Sequence, residues 1–128
     1  MRVLVVDDDP DFLLLTRRAL EARGHEAEST SSAFGLVNKV AGVKPHVLVL
    51  DCEMPGLSGF SIIELLAKDR RTANVPVLLV SAGYGDAQLA AAAAHPFARF
   101  KRKDGHMRAL VDDIEAQARV VELATVKG

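Results

Sequence analysis

The residues of this sequence best suited to chemistry are short acidic, hydroxyl and basic side chains that each follow an apolar run. Asp7-Asp8-Asp9 follow Val3 to Val6, Asp51 follows Val47 to Leu50, Ser81-Ala82 follow Val77 to Val80, and Lys103 comes just after Phe97 to Phe100. Where Asp7, Asp8 and Asp51 converge, several carboxylates share one crevice and repel at neutral pH unless a cation joins them. Oxygen ligands of this kind suit Mg²⁺, which takes one or two carboxylates, keeps waters and accepts phosphate oxygens. Each residue alone also has a structural explanation: Asp9 as helix cap, Asp51 as turn former, Lys103 as a solvated charge. Their joint occurrence at four strand ends, in the order that one fold brings together, favours a site.

The elements that must position them can be read from periodicity. Val3 to Val6, Val47 to Leu50 and Val77 to Val80 are apolar on consecutive residues, the pattern of strands buried on both faces in a parallel sheet. Phe97 to Phe100 is a weaker candidate, and His25 to Ser29, being polar, suits an edge strand. Between them, Asp11 to Arg23 projects Phe12, Leu13, Leu15, Ala19, Leu20 and Ala22 to one side of a helix and Arg17, Arg18 and Glu21 to the other, with Leu14 misplaced. Asp9 is placed as its N-cap, Pro10 as its first residue and Gly24 as its stop. Further helices are expected over Phe34 to Ala41, ended by Gly42; over Phe60 to Arg70, with Ile62, Ile63, Leu65 and Leu66 inward; and in the Ala-rich stretch between Tyr84 and His95. From Gly105 onward a longer stripe runs through Met107, Leu110, Val111, Ile114, Ala118 and Val121. Five strand-helix repeats predict a doubly wound α/β sandwich of the flavodoxin-like type with strand order 2-1-3-4-5, whose site lies at the carboxyl ends of the strands.

The run Val5-Val6-Asp7-Asp8-Asp9-Pro10, the segment Asp51-Cys52-Glu53-Met54-Pro55-Gly56-Leu57-Ser58-Gly59, the Ser81-Ala82 pair and Phe100 with Lys103 resemble the receiver domain of two-component response regulators. The resemblance covers nearly the whole chain. It implies that Asp51 is the phosphoacceptor, taking a phosphoryl group from a phosphohistidine of a histidine kinase or histidine phosphotransfer protein. It further implies that Asp7, Asp8, Asp51 and the backbone carbonyl of Glu53 hold Mg²⁺ (or Mn²⁺), and that Lys103 and Ser81 each hold a phosphoryl oxygen. Ser81 and Phe100 would form the switch, altering the face made by the fourth helix, fifth strand and fifth helix for a second copy or an output domain. By the same resemblance, residues 1–122 form the receiver and 123–128 extend the last helix or begin a linker. The sequence departs from the family at Asp104, where proline commonly follows the lysine, often through a cis bond. A cis bond without proline costs ~3 kcal/mol, so the expectation is either a trans bond with a differently aimed lysine or a strained exception. Pro96-Phe97 replaces the usual Gly-Ala before the fifth strand, and Lys101 stands at a normally apolar position.

Composition excludes several other classes. The 128 residues, 49% hydrophobic and 26% charged, suit one domain with a real core. Sixteen basic residues against 17 acidic ones give no bulk attraction to nucleic acid or an anionic membrane. The basic cluster Arg99, Lys101, Arg102, Lys103 and Arg108 suits a protein partner better than nucleic acid. The apolar runs fall far short of the ~20 residues that cross a bilayer, the start is no signal peptide, and a cytoplasmic setting is expected. Cys52, the single cysteine, is read as an inert thiol, and His25, His46, His95 and His106 as turn or surface residues without ligand spacing. An enzymatic alternative is a Mg²⁺-dependent phosphohydrolase with Asp7 as aspartyl nucleophile, although the chain lacks the last residue of that motif and room for a cap domain. A flavin protein is disfavoured by three carboxylates in the first loop, which repel phosphate.

Overall fold

The computed structural model describes residues 1–54, 59–83 and 85–121. Five strands alternate with five helices: β1 (Arg2–Val6), α1 (Pro10–Ala22), β2 (Glu26–Thr30), α2 (Leu36–Val43), β3 (Val47–Asp51), α3 (Gly59–Lys68), β4 (Val77–Ser81), α4 (Asp86–Ala93), β5 (Ala98–Arg102) and α5 (Met107–Ala118). The strands form one parallel sheet in the order β2-β1-β3-β4-β5. This is the doubly wound arrangement that the repeating apolar runs predict. Residues 55–58 of the segment after Asp51, Tyr84 and the extension at 122–128 lie outside the described residues.

Successive side chains of a strand point to opposite faces, and the consecutive apolar runs use both. Val3, Val5, Val47, Val49, Leu78 and Val80 pack against Phe12 and Leu20 of α1 and Leu110, Val111 and Ile114 of α5. Leu4, Val6, Leu48, Leu50, Val77 and Leu79 face Leu36 and Val40 of α2, Ile62, Ile63 and Leu66 of α3 and Ala91 of α4. Each aliphatic side chain buried this way contributes about 1.5–3 kcal/mol of transfer free energy, so the central strands are fixed in register. No helix among the described residues is long and apolar enough to cross a membrane.

Several local expectations are corrected. Leu15 and Leu65, projected inward, are 50% and 54% exposed, because α1 and α3 bury narrower stripes than their apolar residues could fill. Thr16 is buried instead, its hydroxyl facing Met107 Sδ of α5 at 3.8 Å. Helix α2 runs through Gly42 and ends at Lys44, which takes a left-handed conformation (φ 52°) before Pro45, a residue with no N–H to continue a helix. Strand β5 begins at Ala98, later than its aromatic start suggests, although the Phe97 carbonyl accepts Val77 N–H (2.9 Å) and the Gln117 side-chain amide (2.7 Å). Gln117 thereby occupies a buried position of the α5 stripe. His95 stands in a turn, its Nδ1 accepting Phe97 N–H at 2.9 Å, but is buried and not superficial, and His25 is tied by Nε2 to Glu115 at 2.7 Å.

Candidate functional site

Strands β1 and β3 are hydrogen-bonded neighbours with Val6 opposite Leu50, so Asp7 and Asp51 emerge side by side at the carboxyl end of the sheet. Asp7 is fully buried. Its N–H donates to Thr30 of β2 at 3.2 Å and its Oδ1 accepts Asp9 N–H at 2.9 Å. Asp9 in turn caps α1 by accepting Asp11 N–H at 3.0 Å, with Pro10 at the first helical position. The acidic run thus divides its labour: Asp9 starts the helix, Asp8 is exposed above the crevice, and Asp7 lies at its floor.

Asp51 is only 4% exposed, and its Oδ1 accepts Glu53 N–H at 3.1 Å. Carboxylate oxygens of Asp7, Asp8 and Asp51 lie within 4.8 Å of one another. Burial raises the Asp51 carboxyl to about 6, with Asp7 and Asp8 adding repulsion against the opposing Glu53 N–H and Lys103. Three oxygen donors at this spacing, one with its charge disfavoured by its surroundings, fit a hard divalent cation such as Mg²⁺ or Mn²⁺.

Lys103 enters from the far side of the sheet's carboxyl end. Its N–H donates to the Ser81 carbonyl at 2.7 Å, which continues the β4–β5 pairing one step past the strand. Its Nζ lies 2.6 Å from Asp7 Oδ2 and 3.8 Å from Asp51 Oδ2, and 4.3 Å from the centre of the Phe12 ring. Every peptide bond among the described residues is trans, the bond to Asp104 included, yet the lysine aims into the acidic crevice. Asp104 and Gly105 turn the chain into α5 without proline: Asp104 Oδ1 accepts His106 N–H at 3.0 Å and Gly105 takes φ 79°. The trans expectation holds, whereas the misaimed lysine tied to it does not.

Ser81 is buried at the end of β4, its Oγ accepting Gly83 N–H at 3.1 Å. The register Leu79 opposite Phe100 and Ser81 opposite Arg102 puts Ser81, Leu79 and Phe100 on one face of the sheet. Phe100 is half-buried there against the α2–α3–α4 side of the core. Of the basic cluster, Lys101 is paired with Asp113 at 2.7 Å and Lys103 with Asp7, leaving Arg99 and Arg102 exposed on β5. Burial, then Asp51 and Glu53, push the Cys52 thiol up to about 12, which disfavours the thiolate.

Phe12 is the one contributor not singled out beyond its place in the core. It stands in the first turn of α1, three residues after the Asp9 cap, and the only sequence signal was an aromatic so soon after an acidic strand end. A cavity of about 50 Å³ lies beside it, bounded by Val80, Lys103 and the loop into α5.

Comparison with known proteins agrees with this geometry. The curated relatives include protein PilH of Pseudomonas aeruginosa, 35% identical over 80 residues, which are 62% of this chain and 66% of PilH. They also include the transcriptional regulatory protein PrrA of Mycobacterium leprae, 38% identical over 82 residues, 63% of this chain and 34% of PrrA. The chain therefore spans less than two thirds of PilH and about a third of the longer regulator. Among solved structures, a CheY-like response regulator receiver domain protein from Methanospirillum hungatei superposes with a TM-score of 0.82 at 25% identity, covering 96% of this chain and 97% of that one. Residues 3–121 match the response regulator receiver domain as a family. This chain belongs to the response regulator receiver domain family.

Proposed function

We propose that Asp51 is the phosphoacceptor of a two-component or phosphorelay pathway, taking a phosphoryl group from a phosphohistidine of a histidine kinase or histidine phosphotransfer protein. The observation that carries this reading is the setting of Asp51: nearly buried, flanked by Asp7 and Asp8, with Oδ1 held by Glu53 N–H and Oδ2 beyond hydrogen-bond reach of Lys103. Oδ2 attacks phosphorus, and the P–N bond breaks with its electron pair leaving on the imidazole, which takes a proton from water. Transfer of this type depends on positioning and charge neutralisation more than on acid–base groups. Mg²⁺ (or Mn²⁺), when bound by Asp7, Asp8, Asp51 and the backbone carbonyl of Glu53, supplies neutralisation of phosphoryl oxygens. Lys103 holds one phosphoryl oxygen, and the Ser81 hydroxyl turns from Gly83 to donate to another.

Engagement of Ser81 leaves room behind it for Phe100, which shares its face of the sheet. The inward turn of Phe100 alters the α4-β5-α5 face, read by a second copy or an output domain, in line with the longer transcriptional regulators among the relatives. The competing reading, Asp7 as nucleophile of a hydrolase, has less support because both Asp7 oxygens are engaged, one by Asp9 N–H and one by Lys103. Incubation with Mg²⁺ and radiolabelled acetyl phosphate tests the proposal. Wild-type protein is expected to carry an acid-stable, base-labile label that Asp51→Asn lacks; label surviving in that variant overturns it.

A further inference from the structure

We propose that Phe12 is a positioning residue for Lys103: its ring face carries the lysine ammonium and sets where that charge meets the phosphoryl group on Asp51. The inference rests on the reading of Asp51 as phosphoacceptor. The Lys103 Nζ sits 4.3 Å above the ring centre, inside the ~6 Å range over which an ammonium is attracted by an aromatic face. Both partners are shielded from water: Phe12 is buried, and the lysine side chain is mostly covered. Desolvation of this sort strengthens the attraction.

Beyond the ion pair with Asp7, little near Lys103 fixes its head. The backbone is anchored by Lys103 N–H on the Ser81 carbonyl, but four methylenes separate that anchor from Nζ. The turn that follows is built from Asp104 Oδ1 and Gly105, so it steers the chain and not the side chain. The cavity of about 50 Å³ between Phe12, Val80, Lys103, Met107 and Leu110 leaves the site loosely filled on that flank. The two carboxylates pull unequally, Asp7 at 2.6 Å and Asp51 at 3.8 Å. A flat ring attracts without demanding one direction, so it lets the ammonium paired with Asp7 shift to serve an oxygen on Asp51 without drifting into water. The platform is rigid, because Phe12 lies in a helical turn pinned by the Asp9 cap and Pro10, directly continuous with Asp7.

Lysine-ε-¹³C spectra and acetyl phosphate labelling kinetics, recorded with Mg²⁺ on wild type, Phe12→Leu and Phe12→Tyr, test this, with Lys103→Met supplying the assignment. In wild type the Lys103 ε-proton signals are expected upfield of the other lysines, from the ring current. Phe12→Leu, which keeps an apolar side chain, loses that shift and is labelled about tenfold more slowly, in keeping with the strength of a partly desolvated cation–π contact. Phe12→Tyr keeps both the shift and the rate, which a purely volumetric role would not require. Unshifted signals in wild type overturn the proposal, and this readout stands even if Phe12→Leu fails to fold. Equal labelling rates in wild type and a folded Phe12→Leu overturn the positioning role alone. No label on wild type overturns the phosphoacceptor reading first and the positioning role with it.

Discussion

The Lys103 ammonium lies 2.6 Å from Asp7 Oδ2 but 3.8 Å from Asp51 Oδ2, so the positive charge of the crevice is held by the buried carboxylate at its floor and only leans toward the proposed acceptor. Asp7 is thereby both a proposed metal ligand and the present partner of a lysine, and the two cations compete for it.

That competition has a measurable sign. Lys103→Met removes the resident cation and leaves Asp7 and Asp51 unpaired, so Mg²⁺ binding followed by titration calorimetry is expected to tighten, by about tenfold or about 1.4 kcal/mol. Weaker Mg²⁺ binding in this variant would mean that Lys103 helps to build the metal site.

The raised Asp51 carboxyl predicts how stability follows pH. Its native value is about 6 against an ordinary 3.8, so the folded state holds the extra proton between these values. The stability it contributes is full below about 3.8 and lost as pH rises through about 6. Melting temperatures of Mg²⁺-free protein should therefore carry a falling component across that window that Asp51→Asn lacks. Added Mg²⁺ should raise the melting temperature more above the window than below it, since a proton and the metal exclude each other at Asp51. A Mg²⁺ effect equal on both sides of the window would place the metal away from this carboxylate.

Cys52 adjoins the proposed acceptor and should nonetheless be silent. With the thiol near 12 instead of the ordinary 9.0, the thiolate fraction at mildly alkaline pH is lower by about a thousandfold. Iodoacetamide labelling of the native protein should be correspondingly slow and should accelerate on unfolding in urea. Fast labelling of the folded protein would contradict the burial and charge described for this site.

At the opposite end of the sheet, Gln117 is buried with its amide N–H on the Phe97 carbonyl, while its Oε1 meets no hydrogen-bond partner among the described residues. The Phe97 carbonyl keeps Val77 N–H after the amide is removed. Gln117→Met should therefore change stability by less than about 1 kcal/mol in either direction, because the lost hydrogen bond is offset by removal of an orphaned polar atom. A loss of about 3 kcal/mol or more in urea unfolding would show that the amide has a second role.

What was legible in the sequence follows from range. Consecutive apolar residues in β1, β3 and β4 encode burial on both faces, which implies a parallel sheet, and the strand order then gathers Asp7, Asp8, Asp51, Ser81 and Lys103 at one end without further information. Periodicity does not say how wide a stripe each helix buries, so it projects Leu15 and Leu65 inward although both are about half exposed. Local turn chemistry misleads at α2, where the helix runs through Gly42 and stops at Lys44, before Pro45. The aim of Lys103 was obscured because its side chain answers to Asp7 and Phe12, some ninety residues earlier, and not to the residue that follows it. His25 shows the same limit: its partner Glu115 is brought to it by the packing of α5 and not by any spacing in the chain.

The central claim is the identity of the acceptor, and borohydride reduction tests it most directly. Protein treated with Mg²⁺ and acetyl phosphate is reduced, which converts a phosphorylated aspartate to homoserine, and the peptides are sequenced by mass spectrometry. The account predicts homoserine at position 51 and nowhere else in the acidic crevice; homoserine at Asp7 or Asp8, with Asp51 unchanged, would contradict it.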